Sequence, residues 1–180
     1  MLHKKTFLIT LQHKTSDKTH YKAYFMKLFY IGLGSNIGER EQILMQAIAL
    51  IGERVGEVVA RSSMYETRAD GFESDNLFMN AVVAVRSAKE PHEVLSYTHQ
   101  IELDLGCTTH RNADGSYCDR SLDIDLIACD DIVCNDEVLT LPHPRMHLRR
   151  FVLDPLCEIA PQWMHPILHR TTTELLAEIC

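Results

Sequence analysis

The chain has 180 residues, of which 46% are hydrophobic and 24% charged, with a net charge of -7. That composition fits one globular domain with a core of useful size. The acidic balance argues against nucleic acid as a partner, and no apolar run is long enough to span a bilayer, so neither DNA or RNA nor a membrane is expected. The six cysteines form no C-x-x-C pair and no metal-finger spacing, so they read as free thiols of a cytoplasmic protein.

Residues 1–25 are polar and lack a period. They read as an extension, and 26–180 as a single domain, expected to be a monomer. "KLFYIGLG" is a β-rich apolar run ending in glycines, read here as a strand leading into a turn. "SNIGEREQILMQAIALIG" has the 3.6 period, with Asn36 as an N-cap and Glu39 three residues on as its capping-box partner. "GEVVARSSMYET" reads as a strand, "RADGFESDN" as a loop and "LFMNAVVAVRS" as a further strand. A helix then begins at Pro91, with Val94, Leu95, Thr98, Ile101 and Leu105 on one face and Gly106 at its end. The polar stretch "CTTHRNADGSYCDR" follows, expected to order only over ligand. After it come a strand, a short strand pair and two short helices. This order of elements is that of an α+β ferredoxin-like sandwich, with a mostly antiparallel sheet and helices packed on it.

In the strand "CDRSLDIDLIACDD", alternation puts Leu122, Ile124 and Leu126 on one face and Asp123 and Asp125 on the other. Asp is depleted in strands, and two like charges one pleat apart repel unless a cation sits over them. Paired oxygen ligands suit Mg²⁺, which takes one or two carboxylates and leaves its other positions to water and phosphates. Arg120 lies just before the pair. Downstream, "LPHPRMHLRRFV" gathers His143, Arg145, His147, Arg149 and Arg150, a local basic cluster suited to a polyphosphate. Carboxylates, a hard dication and guanidinium groups together are the parts of a phosphoryl-transfer site.

These segments, "YIGLGSNIGER", "YET…GF…NLFMNAVVAV", "IELDLG", "DRSLDIDLI" and "LTLPHPRMHLRRFVLDPLCEIAP", resemble in order the 6-hydroxymethyl-7,8-dihydropterin pyrophosphokinases of folate biosynthesis, from Met26 to about Pro161. The resemblance implies transfer of the terminal pyrophosphate of ATP to the pterin hydroxymethyl oxygen, releasing AMP, with ATP and the reduced pterin as small-molecule partners. It implies two Mg²⁺ ions held by Asp123 and Asp125. Glu102, Arg120, His143 and Arg149 fall on the ATP side. Thr67, Phe78, Asn80, Tyr117 and Phe151 fall on the pterin side. The chain departs from the family pattern in three places. Cys107 stands where an Arg of a catalytic loop is usual, and Arg111 is the candidate replacement. Tyr117-Cys118-Asp119 replaces Trp-Gly-Pro. "TRADG" replaces a more apolar pterin loop. The alternatives weighed are another Mg²⁺-dependent phosphoryl or nucleotidyl transferase on this fold, and a degenerate nucleotide-binding module.

Overall fold

A computed structural model of the chain describes residues 26–107, 115 and 117–179. Among these, five strands form one antiparallel sheet. They are β1 (Lys27–Ser35), β2 (Glu57–Arg61), β3 (Tyr65–Thr67), β4 (Phe78–Ser87) and β5 (Asp123–Cys129), in the order β2-β4-β1-β5, with β3 also on β4. Helices α1 (Arg40–Arg54) and α2 (Pro91–Asp104) make the two crossovers. The result is the expected α+β ferredoxin-like arrangement. A small pair, β6 (Cys134–Asn135) and β7 (Thr140–Leu141), is followed by a 3-10 turn at Met146–Leu148 and by α3 (Arg150–Ile159) and α4 (Thr172–Glu178).

The sheet is covered on both faces, and each face has its own core. On the first, Phe29, Ile31 and Leu33 of β1 and Ile124 and Leu126 of β5 pack on Leu44, Ala47, Ile48 and Ile51 of α1 and on Val94 and Ile101 of α2. On the second, Tyr30, Val82, Ala84, Ile127 and Ala128 pack on Val152, Leu153 and Leu156 of α3 and Leu175 of α4. The C-terminal helices are thus a full layer of the domain. Their apolar stripes have the helical period, and α4 opens on a capping box in which Thr171 and Glu174 exchange hydrogen bonds.

One irregularity sets the phase of β5. Tyr30 pairs with Ala128 and Ile31 with Leu126, which leaves Ile127 as an extra residue. Such a bulge turns two successive side chains to the same face. Ile127 and Ala128 accordingly both enter the second core. The Ile127 carbonyl accepts the His143 N–H at 2.8 Å, which fixes where the basic segment leaves the sheet.

Three sequence readings change here. The glycines of "GLG" lie inside β1, which runs on to Ser35. Asn36 is not the cap of α1, whose N-cap is Glu39 with no side-chain cap bond. Finally, "GEVVARSSMYET" is two strands, separated at Ser62, whose hydroxyl accepts the Val82 N–H at 3.0 Å and whose own N–H donates to the Val82 carbonyl at 3.0 Å.

Candidate active site

The second face of the sheet changes character along its length. Cross-strand partners form rows: Ala84–Tyr30–Ala128, then Val82–Gly32–Asp125, then Asn80–Gly34–Asp123. The first row lies beneath α3 and is apolar. The last is polar and opens into a cavity lined by Thr67, Phe78, Asn80, Tyr117, Arg120, Asp123, Asp125, Arg149 and Phe151. Arg149 is the N-cap of α3 and Phe151 stands in its first turn, so the end of the helix that covers the core forms the cavity wall.

Gly32 and Gly34 are what keep this floor open. A Cβ on Gly34 would meet Asn80 Oδ1 at 3.1 Å and Phe78 Cδ1 at 3.5 Å. A Cβ on Gly32 would meet Ile127 Cδ1 at 3.2 Å. Bare backbone at these two positions separates the amide of Asn80 from the carboxylate of Asp123 without filling the space between them.

On the Asn80 side, its Nδ2 donates to Thr67 Oγ1 at 2.8 Å, and Phe72 meets Phe78 edge-on with ring centroids 6.2 Å apart. This is a small, aromatic-lined recess with a fixed amide. On the other side, Arg120 donates to Asp123 Oδ2 at 2.6 Å. Its guanidinium carbon lies 5.1 Å from the Phe78 ring centre and 5.7 Å from that of Tyr117. Arg145 in turn donates to the Tyr117 hydroxyl at 3.0 Å. Arg149 stands over the Phe151 ring at 5.3 Å. Its Nε is 3.3 Å from Asp70, an ion pair whose angle is not that of a hydrogen bond.

One feature marks the wall as built for an anion. The Nε atoms of Arg120 and Arg149 are buried without a hydrogen-bond acceptor among the described residues. A buried cationic donor with no acceptor is costly unless a ligand supplies one. Burial, together with Arg149 and Arg145, also holds the His143 imidazole pKa down at about 4, so the ring is neutral near pH 7. His143 Nδ1 accepts the Arg145 N–H at 3.2 Å, which places the ring proton on Nε2 as a donor.

Glu102 does not line the cavity. It is 5% exposed, and its carboxylate accepts the Ile124 N–H, between the two aspartates, at 2.7 Å. It touches β5 only through that backbone amide among the bonds described. Arg111 lies outside the described residues. Cys107 is buried and donates to the Leu122 carbonyl at 2.9 Å, so the position that usually carries Arg is here a packed thiol.

Sequence reasoning missed a knot at the cavity edge. Asp119 accepts from Ser74 Oγ, Asn36 Nδ2 and Asn76 Nδ2, each at 2.6 Å, and these bonds, that of Ser74 foremost, hold its carboxyl below the usual range. Asn36 Oδ1 accepts the Arg120 N–H at 2.8 Å, and the Arg120 carbonyl accepts the Asn36 N–H at 3.1 Å. Asp70, Phe72 and Arg68 also line the cavity from the loop of 68–77.

A flat recess beside paired carboxylates and buried guanidinium donors is an arrangement that can seat a heterocycle next to a polyphosphate, as an enzyme moving phosphoryl groups requires. Comparison with known proteins gives the family. Residues 30–161 match the model of the 7,8-dihydro-6-hydroxymethylpterin-pyrophosphokinase family. The chain is 44% identical over 143 residues to the 2-amino-4-hydroxy-6-hydroxymethyldihydropteridine pyrophosphokinase of Porphyromonas gingivalis, covering 78% of this chain and 95% of that protein. It is 41% identical over 134 residues to the Bacillus subtilis enzyme of the same name, covering 74% and 78%. The chain therefore belongs to this pyrophosphokinase family. Among solved structures, the wild-type HPPK-DHPS of Plasmodium falciparum with pteroate superposes with a TM-score of 0.68 at 13% identity, over 85% of this chain and 44% of that one. That likeness shows the fold alone, and the chain spans less than half of the HPPK-DHPS protein.

Proposed function

We propose that the chain transfers the pyrophosphoryl group of ATP to the hydroxymethyl oxygen of 6-hydroxymethyl-7,8-dihydropterin, giving the pterin diphosphate and AMP. The observation that carries this is the row Asn80–Gly34–Asp123, which sets a heterocycle recess on β4 and a carboxylate pair on β5 with only the glycine of β1 between them. The pterin lies in the recess. Asn80 and Thr67 offer hydrogen bonds to its ring edge, and Phe78, Phe151 and Tyr117 offer faces for stacking.

The pterin hydroxyl gives up its proton to solvent and its oxygen bonds to the β-phosphorus of ATP as the bond from that phosphorus to the α,β-bridging oxygen breaks, and AMP leaves with that oxygen. Arg120 and Arg149 bind the triphosphate, their unmatched Nε donors finding acceptors there. His143 donates through Nε2. These groups stabilise charge that grows on the leaving phosphate, and burial strengthens them. Arg111 is the proposed further cation of the transfer step. Glu102 positions Asp123 and Asp125 by holding the amide between them. The two carboxylates, side by side with guanidinium groups close behind, fit hard divalent cations bound together with phosphate, and Asp123 and Asp125 would hold two Mg²⁺ ions. When bound, these neutralise the triphosphate and polarise its phosphoryl oxygens.

We further propose that 26–180 is one pyrophosphokinase domain, cytoplasmic and monomeric, for which residues 1–25 are dispensable. In support, the family match begins at residue 30, and no helix among the described residues is long and apolar enough to cross a membrane. The test is to incubate the protein with ATP, Mg²⁺ and the reduced hydroxymethylpterin and to look for AMP and the pterin diphosphate in equal amounts. Release of ADP, or of AMP without pterin consumption, overturns the reading. A chain beginning at Met26 should give the same yield.

A further inference from the structure

On the face of the sheet opposite the carboxylate pair, three side chains of different chemistry converge. His92 is in the first turn of α2, Cys134 is in β6, and Asp136 follows β6. His92 Nε2 lies 2.9 Å from Asp136 Oδ2, and Cys134 Sγ lies 3.3 Å from the same oxygen. The three ligand atoms all fall within 4.8 Å of one another. In a tetrahedral zinc site, with bonds of about 2.0–2.3 Å, ligand atoms stand roughly 3.3–3.7 Å apart. The Cys134–Asp136 separation already has this size, while His92 sits closer to Asp136 than such a site needs and must shift. The adjustment left is within reach of the exposed His92 side chain.

The cluster is also braced from behind. The second oxygen of Asp136, Oδ1, accepts the Val138 and Leu139 N–H groups at 2.9 and 2.8 Å, so the carboxylate cannot turn and Oδ2 stays aimed at His92 and Cys134. Cys134 is half-buried against the first core, while His92 and Asp136 face solvent and leave an open side for a water as fourth ligand. An ion pair between His92 and Asp136 accounts for two of the three groups. It leaves the thiol with only weak S–H···O contacts, to Asp136 and, at 3.7 Å, to the Leu139 carbonyl.

We propose that His92, Cys134 and Asp136 form a binding site for one divalent ion of the zinc class. Imidazole nitrogen, thiolate sulfur and carboxylate oxygen together suit zinc, cobalt and their neighbours, and not magnesium or calcium, which take oxygen alone. The thiol binds as thiolate and its proton goes to solvent. The bound ion clamps the start of α2 to the β6–β7 hairpin, 44 residues away along the chain.

The test uses the full chain, free of nucleotide, titrated with Co²⁺ as a spectroscopic probe and then with Zn²⁺. One equivalent of Co²⁺ should give tetrahedral visible bands and a near-ultraviolet thiolate-to-metal band, both bleached by Zn²⁺. At a Zn²⁺ concentration tenfold above the dissociation constant the melting temperature should rise by about 3–6 °C. Cys134→Ser should abolish the near-ultraviolet band, and His92→Ala should weaken affinity about tenfold or more. Cys134→Ala serves the same purpose if the serine variant does not fold. Pyrophosphate transfer should be unchanged in all three variants, so failure here is separable from failure of the catalytic reading. A thiolate band that survives in the Cys134 variants, or its absence from the unaltered protein, overturns the site.

Discussion

Asn36 and Arg120 hold each other by paired bonds. The side-chain oxygen of Asn36 takes the Arg120 amide at 2.8 Å, and the Arg120 carbonyl takes the Asn36 amide at 3.1 Å. Asn36 is 3% exposed, so nothing from solvent replaces the bond that Asn36→Ala removes. That change should cost about 1–3 kcal/mol of stability by leaving buried groups unmatched. It should also lower turnover by roughly 10–100-fold, because the guanidinium loses its placement over Asp123. Denaturant unfolding and steady-state kinetics of the variant check both. Loss of stability with full turnover would show that Arg120 finds its place without Asn36.

Gly34→Ala tests the open floor. The new methyl comes within 3.1 Å of Asn80 Oδ1, so the amide must move by a few tenths of an ångström. The loss of backbone freedom in the unfolded chain offsets part of the strain, and stability should change by less than about 1 kcal/mol. The Michaelis constant for the pterin should rise about tenfold or more, since Asn80, the proposed hydrogen-bond partner of the ring, is displaced, while that for ATP changes little.

Asp123→Asn and Asp125→Asn should each lower turnover by roughly 10³-fold, because an amide supplies an oxygen without the charge that holds a hard dication. Their effects on the ligand-free protein should differ. Asp123 is paired with Arg120, side chains 23% and 11% exposed, and Asp123→Asn should cost about 1 kcal/mol once solvent screening is allowed for. Asp125→Asn also relieves repulsion from Asp123, which offsets part of its cost. Thermal melts with and without Mg²⁺ and a non-hydrolysable ATP analogue separate the two. Mg²⁺-nucleotide should stabilise the unaltered protein far more than either variant.

His143 gives a pH signature. Its folded pKa of about 4 lies below the ordinary 6.5, so between these values the unfolded chain binds more protons and stability falls as pH falls. The contribution is present above pH 6.5, is lost progressively toward pH 4, and is on the order of 3 kcal/mol. His143→Gln should flatten the slope of unfolding free energy in that window. The depressed carboxyl of Asp119 acts in the same direction but titrates below the ordinary carboxylate range, so its loss comes later in an acid titration.

How far the site could be read from the sequence depended on whether its signal was local. Asp123 and Asp125 were legible because a strand has period 2 and their neighbours Ile124 and Leu126 are core residues. The two C-terminal segments were legible as short helices, but not as a layer of the domain, because that depends on the far side of the sheet they cover. Gly32 and Gly34 were not, because a glycine in sequence marks a turn as readily as a close approach. What decides between these is the pair of cross-strand partners, Asn80 and Asp123, far along the chain. Asn36 carried a cap signature that is identical whether its side chain turns to its own helix or to a residue 84 positions later. Glu102 lies four residues after Thr98 and is buried with it in α2, a placement that the resemblance to the ATP side of the family did not carry.

Because the recess and the carboxylate pair stand on β4, β1 and β5, which also carry both cores, the floor of the site inherits the protection of the whole domain. Amide protons of Gly34, Asn80 and Ile124 should exchange with solvent only when the molecule opens globally. The walls, made of the 68–77 loop and the segment from Tyr117 to Arg120, have few backbone ladder bonds and should exchange by local opening. Substitutions in the 68–77 loop that leave the Asp119 knot intact can therefore reshape the recess at little cost to folding, whereas a change to the floor acts on the strands that hold both cores.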